Sequence, residues 1–578
     1  MLRWAPLLCV LLACRPQETT TPYSPRAIVV VLDGAPGDHP VSLPGTPLPL
    51  ARNLGVPITV EAHAALLTGR RQPLGTLPPG HTGAWRSTAP TLPELLARAR
   101  GLDADAQMVA GGNTILLAEA LTSRAPHYGA HLGPPFTFQE GSDAAVLAHL
   151  RKRMASDDIH FALLNLHGVD IGAHVGEPYA EPLAALEEPL AALWDWIEDT
   201  PPYAGNTHLV VLSDHGRHDW GEPDDWWSHG DQCLGCRSIH LSWAGPSLPL
   251  DPDEVVSLTD VSAALAAVLG IAQPLNIRPD DTLRAAGGTL LHRGGLWRDG
   301  TLLSTPGSLA EAPRSLGDDT CWRELGPEAD GMQHWRPRCH VRELPFETTS
   351  PFWAPALSDA RGHLWLADHT NINEYTGPSH IYLRLVRDGV ESRGPSLSYP
   401  QGISLWIDAA DIRFAAAHSA DEVTGRDTRQ IGVWSIDWPE DGEPSWSLSE
   451  TLLPPADAGR VSAPALRGAR VAALVWPLVG GITVRVSEGG AWTEIPEATD
   501  VLGHIPPAWD DDGGLWWAQQ PDPQTTALCR WDDGDVSCTE IATAAVDVLT
   551  LEPGGAWINR HDEGWQAAWV PTPSGREH

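Results

Sequence analysis

Basic side chains are scarce in this chain of 578 residues: 38 Lys and Arg stand against 74 Asp and Glu, a formal net charge of −36. Such an imbalance repels phosphate backbones, and no basic run offsets it, so nucleic acid is excluded as an expected partner. The acidic surface is expected to serve solubility. Long apolar runs are also missing. The N-terminal stretch Leu7–Ala13 falls far below the roughly 20 residues that a membrane-spanning helix needs, and no later segment is long enough. Hydrophobic residues make up 42% of the chain, as in ordinary folded proteins. The length exceeds what one hydrophobic core organises, which predicts two or more domains.

The N-terminus reads as a processing signal. Arg3 precedes the apolar stretch, which ends in Leu11-Leu12-Ala13-Cys14. That ending resembles a bacterial lipoprotein cleavage site, which implies a lipidated Cys14 and anchoring to a membrane through its acyl chains. An ordinary secretory signal with an incidental Cys14 is the alternative. Arg15 is not the aspartate that often retains lipoproteins at the inner membrane, so an outer-membrane address in the cell envelope is expected. Residues 15–25 are polar and contain proline, as a tether should.

The six other cysteines beyond Cys9 fall into near pairs, which suits an exported protein. Asp533-Gly534 reads as a two-residue hairpin turn. That register sets Cys529 opposite Cys538 in a non-hydrogen-bonded pair, with Cα atoms about 4.5 Å apart and within disulfide range. Cys321 and Cys339 form a second near pair. Cys233 and Cys236 sit in a Cys-x-x-Cys motif that a zinc or redox role would also explain. With no second such motif nearby, a small disulfide loop is expected.

Residues 26–285 alternate strand-like and helix-like segments. Ala27–Leu32, Phe161–Leu166, His208–Ser213 and Ser238–Trp243 are short apolar runs typical of buried strands. Thr91 and Ser142 are placed to cap helical patterns, Pro182–Ile197 is amphipathic, and Asp260–Leu269 is a helix stopped by Gly270. The alternation predicts an α/β layered domain. After residue 286 the texture changes, and 18 of the 26 tryptophans lie there. Gly-x-(Leu/Ala)-Trp recurs, at 294–297, 362–365, 489–492, 513–516 and 554–557. Trp365 to Trp406, Trp476 to Trp516 and Trp516 to Trp557 are 41, 40 and 41 residues apart. Periods near this length predict an all-β region of six or seven β-propeller blades, with a pair of β-sandwiches as the alternative. The tryptophans are expected in the cores of the blades, with a ligand-stacking face as the other option.

Carboxylates and imidazoles gather at the strand ends of the first region. Asp33 ends one strand, Asp170 and His174 follow a second, Asp214 and His215 end a third, and His229 lies in the loop beyond. Ligands collect at the carboxyl ends of strands in open α/β sheets. Three Asp and three His suit two zinc ions with positions left for substrate. Thr59 is a hydroxyl nucleophile that a metal would activate.

These pieces, VVVLDG, T-x-x-x-H followed by LLTGR, D-x-x-x-H, SDHG and a later SHG, occur in one order. Together they resemble the alkaline phosphatase superfamily, above all its nucleotide pyrophosphatase/phosphodiesterase and cofactor-independent phosphoglycerate mutase branches. The resemblance covers residues 26–285. It implies an alkaline-phosphatase-like sandwich with a central, mostly parallel sheet. It implies one ion held by Asp33, Asp214, His215 and Thr59, and a second held by Asp170, His174 and His229. Zinc is implied at both sites, with manganese used in the mutase branch. Thr59 would form a phospho-threonine. His63 is expected as a supporting residue, and His167, His218, Asp219 and Asp231 lie off the pattern and are expected on the surface or supporting the ligands. Glu61 and Ala62 replace the Pro-Asn of the phosphodiesterase branch. That branch's asparagine about twenty residues beyond the nucleophile is missing too, so His81 or Arg86 is the expected phosphate-binding group. No C/S-x-P-x-R sulfatase signature is present.

The expected organisation is a signal at 1–14, a tether at 15–25, a metallohydrolase domain at 26–285 and a propeller-like domain at 286–578. The expected function is hydrolysis of phosphate mono- or diesters, on a small-molecule or envelope substrate. Phosphoryl or head-group transfer, sulfatase-like hydrolysis, and a propeller binding protein without catalysis are the alternatives. Oligomeric state is left open.

Overall fold

The structure is a computed structural model that describes residues 24–572, apart from 56, 71–85, 113–119, 177, 219–228, 230–233 and a series of connecting segments after residue 271. The first region is built on a seven-stranded sheet. Its strands, with two short ones that pair separately, are β1 (Arg26–Leu32), β2 (Thr46–Pro47), β3 (Ala51–Arg52), β4 (Met108–Gly112), β5 (Phe136–Gln139), β6 (Phe161–Leu166), β7 (Thr207–Leu212), β8 (Leu241–Ala244) and β9 (Val256–Ser257). The order across the main sheet is β2-β8-β7-β1-β6-β4-β5, and β3 pairs with β9. β7, β1, β6, β4 and β5 run parallel. β8 and β2 complete the edge antiparallel.

Both faces of this sheet are covered, which is why β1 reads as an unbroken apolar run. Val29 and Val31 pack with Leu66, Leu96 and Leu265 from helices on one face. Ile28, Val30 and Leu32 pack with Val146, Leu150 and Leu190 from helices on the other. The capping residues act as expected. The helix Leu92–Arg100 begins at a capping box of Thr91 and Glu94. Ser142 accepts from the Ala145 N–H at the start of Asp143–Ser156. Leu258–Leu269 ends at Gly270, whose φ of 67° is the left-handed conformation that glycine adopts freely. The amphipathic stretch Pro182–Ile197 is divided between two helices, Ala180–Ala184 and Glu187–Asp199.

Beyond residue 271 the described elements are strands, arranged in seven successive antiparallel sheets of three to five strands. Leu283–Arg284 already pairs with Leu290–His292, so the first of these sheets starts just before residue 285. Among the described residues, no helix is long and apolar enough to cross a membrane. Two disulfides form where the sequence pairs them. Cys529 faces Cys538 across a hairpin with Cα atoms 4.1 Å apart. Cys321 faces Cys339 at 4.0 Å. Cys236 is buried. Cys233 and Cys14 lie outside the described residues. The two halves touch: the Arg124 guanidinium donates to the Pro477 carbonyl at 3.3 Å, and His127 Nε2 lies 2.8 Å from the Gln520 carbonyl.

Candidate metal centre and nucleophile

β6, β1 and β7 lie side by side, so their carboxyl ends deliver side chains to one edge. Asp33 follows β1, and its backbone N–H donates to the Leu166 carbonyl at the end of β6 at 3.0 Å. Directly after β6, the helix Gly168–His174 carries Asp170 and His174 one turn apart on one face. Asp214 and His215 follow β7. Thr59 is the first residue of the helix Thr59–Thr68.

The first group is fully buried. Thr59 Oγ1 donates to Asp33 Oδ1 at 3.4 Å and lies 3.4 Å from His215 Nε2. His215 Nε2 is 3.5 Å from Asp33 Oδ1 and 3.7 Å from Asp214 Oδ2. Asp214 Oδ1 accepts the backbone N–H groups of Gly34 and His215, at 3.1 and 3.0 Å. Asp214 Oδ2 is buried with no hydrogen-bond partner. His63 supports this group: its Nδ1 meets the Thr59 carbonyl at 2.7 Å, one helical turn back. Asn165 donates to Asp33 Oδ2 at 2.9 Å and also approaches His63 Nε2 at 3.3 Å.

The second group centres on Asp170. His174 Nε2 stands 3.2 Å from its Oδ2, and His229 Nε2 stands 3.7 Å from its Oδ1. Arg217, buried, bonds Oδ1 through Nη2 and the Gly34 carbonyl through Nε. The His215 and His229 rings stack with centroids 3.8 Å apart, so the two groups are contiguous. Potential ligand atoms form compact trios within 4.8 Å: Asp33, Asp214 and His215; Asp170, His215 and His229; and Asp33, His167 and Asp170. His174 touches Asp170 but stands farther from His229, with ring centroids 5.3 Å apart.

Charge is tightly confined here. Burial opposes protonation of His215, but Asp214 and Asp33 outweigh it and hold its pKa at about 9. Burial, reinforced by the charges of His215 and Arg217, drives His229 well below the usual histidine range, so it stays neutral. Burial and then the Asp33 charge raise Asp214. Burial also raises Asp170, but hydrogen bonds from His167 and His174 and the Arg217 charge hold it well below the carboxylate range. Two imidazoles are pre-oriented: Nδ1 of His215 meets the Gly216 carbonyl at 3.1 Å, and Nδ1 of His229 meets the Pro57 carbonyl at 3.1 Å. Such bonds fix the rings with Nε2 turned toward the carboxylates, the atom that an ion would take in exchange for a proton at His215.

His167, off the motif pattern, takes the supporting one of the two places expected for it, not the surface. Its Nε2 is 2.8 Å from Asp170 Oδ2 and 3.8 Å from Asp33 Oδ2. His218 is buried as well, at 6% exposure. The signal for His167 was its place one residue after a strand, three before Asp170. Arg217, three residues after Asp214, went unread, as did Asn165 at the end of β6. Arg86 stands near Arg124, whose pKa is lowered by burial and then by the Arg86 charge. That places it by the face that meets the C-terminal sheets. His81, Asp219 and Asp231 lie outside the described residues.

No family model matches the chain. No curated protein matches it either. Solved structures do. Murine ectonucleotide pyrophosphatase/phosphodiesterase 5 aligns at 15% identity over 43% of this chain and 96% of its own, with a TM-score of 0.31. The lipoteichoic acid synthase of Listeria monocytogenes aligns at 13% identity over 43% and 72%, with a TM-score of 0.31. A protein from Vibrio parahaemolyticus aligns at 13% identity over 47% and 76%, with a TM-score of 0.30. At such scores the chemistry has to come from the side chains. Of these, the Vibrio parahaemolyticus protein is described as a member of the alkaline phosphatase superfamily.

Proposed function

We propose that this chain is a two-metal hydrolase of phosphate mono- or diesters that works through a phospho-threonine at Thr59. The observation that carries this is the meeting of Asp33 and His215 at the buried Thr59 hydroxyl, with Asp214, Asp170 and His229 in compact donor trios beside them and His174 against Asp170, at one strand-end edge. The residues fit divalent ions. Asp214 Oδ2 is buried and unbonded, and two imidazoles keep Nε2 turned toward carboxylates. Asp33, Asp214, His215 and Thr59 would hold one ion, and Asp170, His174 and His229 the other. The imidazole share favours zinc, and the carboxylates tolerate manganese. When bound, such ions supply Lewis acidity and positive charge at a phosphoryl centre.

Thr59 Oγ1 attacks phosphorus, and Asp33 Oδ1, its hydrogen-bond acceptor, takes the hydroxyl proton. The phosphorus–ester oxygen bond breaks, and the proton leaves with the departing alcohol. Water then attacks the phospho-threonine. The phosphorus–Oγ1 bond breaks, and Thr59 regains a proton from that water. The test is release of nitrophenol from mono- and bis-nitrophenyl phosphate by the zinc-loaded protein. Release that continues undiminished in Thr59→Ala would place the nucleophile elsewhere.

The same proposal places the protein in the cell envelope on a lipidated Cys14. The seven C-terminal sheets support a seven-bladed propeller. The opening strands of the second to fourth sheets pack one on the next, as do those of the sixth and seventh, and Leu283–Arg284 packs on Gly555–His561 and Trp565–Pro571. First and last sheets therefore meet. Truncation after Ile541 should unfold the C-terminal half as a unit, whereas an open array would lose one sheet only.

A further inference from the structure

His167 stands inside the cluster without a place in the ligand sets above. It follows β6 directly and precedes the helix Gly168–His174. The spacing His167, Asp170, His174 places three donor residues on one face of a short helical turn. The two oxygens of Asp170 are divided between unlike partners. Arg217 Nη2 bonds Oδ1, which His229 Nε2 also approaches at 3.7 Å. Oδ2 faces two imidazoles, with His167 Nε2 at 2.8 Å and His174 Nε2 at 3.2 Å. Ligands held about 2.0–2.1 Å from a tetrahedral zinc stand about 3.3 Å apart, close to these separations. His167 Nε2 is also gathered with Asp33 and Asp170 into one compact trio of donor atoms.

We propose that His167 is a further ligand of the ion assigned to Asp170, which is then held by His167, Asp170, His174 and His229. This rests on the two-metal proposal above. Arg217 takes part as a positioning residue. By bonding Oδ1 it leaves Oδ2 turned toward His167 and His174. Gly34 leaves room for it, because a Cβ there would stand 2.4 Å from Arg217 Nη2 and 2.6 Å from Asp170 Oδ1.

The test uses the full chain loaded with Co2+ in place of Zn2+, followed by equilibrium dialysis with elemental analysis and by visible absorption. Wild type is expected to bind two ions. His167→Gln is expected to keep one ion at wild-type affinity and bind the other more than about 100-fold more weakly, beyond the 10–100-fold typical of residues that merely orient a ligand. Its cobalt d–d bands should also shift, because a nitrogen has left the coordination sphere. His167→Asn gives a second variant, and far-ultraviolet circular dichroism reports whether each folds. Unshifted cobalt bands in a folded variant that binds two ions would overturn the ligand role and leave the two-metal proposal standing. A wild-type protein that binds no ion would overturn both.

Discussion

Thr59 Oγ1 and Asp33 Oδ1 lie 3.4 Å apart at the end of a buried strand, the one side chain at a helix start and the other just past β1. A hydroxyl in that place has a proton acceptor and a supply of ligands, but no other assigned structural task. Thr59→Ala is therefore expected to lower phosphate-ester hydrolysis by at least about 10³-fold and to weaken the ion held with Asp33, while the ion at Asp170 binds as in wild type. Steady-state kinetics with parallel metal analysis checks both halves of this.

Removing the ions should cost stability as well as activity. Asp33 and Asp214 are both buried, and Asp214 Oδ2 has no hydrogen-bond partner. Ion binding compensates such charge, and at about 1,000 times Kd it adds about 4 kcal/mol. A chelator is expected to lower the melting temperature of the first domain, with zinc restoring it in a concentration-dependent way. A melting curve unmoved by chelator would contradict this.

Gly34 is a sensitive position. Its φ is 65°, and a methyl group there would meet Arg217 and Asp170. Gly34→Ala should destabilise the domain by roughly 1–3 kcal/mol and lower activity more than stability alone explains. Chemical denaturation followed alongside turnover separates the two effects.

The hairpin disulfide stabilises the C-terminal half by closing a short loop, since Cys529 and Cys538 are nine residues apart. Cys538→Ser is expected to cost that half about 2–3 kcal/mol and leave ion binding intact. Urea unfolding followed by tryptophan fluorescence reads the loss.

Acid should loosen the same half. Burial opposes the Asp510 charge, but hydrogen bonds from Arg530 and Trp516 outweigh it and lower its pKa. A carboxylate with a lowered folded pKa contributes its stability above the unfolded value of 3.8, and that contribution fades as pH falls through the folded value. Asp510→Asn should be less stable at neutral pH, and its deficit should shrink below about pH 4. A deficit constant with pH would remove Asp510 from this role.

Much of the site was legible because Asp33, Asp170 and Asp214 each follow a short run of apolar residues, and a buried parallel strand is such a run. β4 was not legible. Met108–Gly112 ends in two glycines, and its place in the sheet depends on Gly111 accepting the Phe138 ring, where a Cβ would stand 2.5 Å from Phe138 Cζ. For His167 the sequence leaves a surface and a supporting place both open, because nothing local distinguishes a histidine aimed at Asp170 from one in water. The tryptophan interval predicted repetition but not position. Trp365, Trp516 and Trp557 lie on second strands of their sheets, whereas Trp406 lies on a first strand. A period counts residues per sheet, while loop lengths decide which strand a residue reaches.

The edge formed by β6, β1 and β7 also dates the site within the life of the chain. Asn165 bonds Asp33 across 132 residues, Thr59 meets His215 across 156, and Gly34 bonds Asp214 across 180. Contacts this distant form only after long loops have closed. Uptake of the ion held by Asp33, Asp214 and His215 should thus report the completed pairing of β1 with β7, and a nascent chain ending before residue 207 would lack Asp214, His215 and His229.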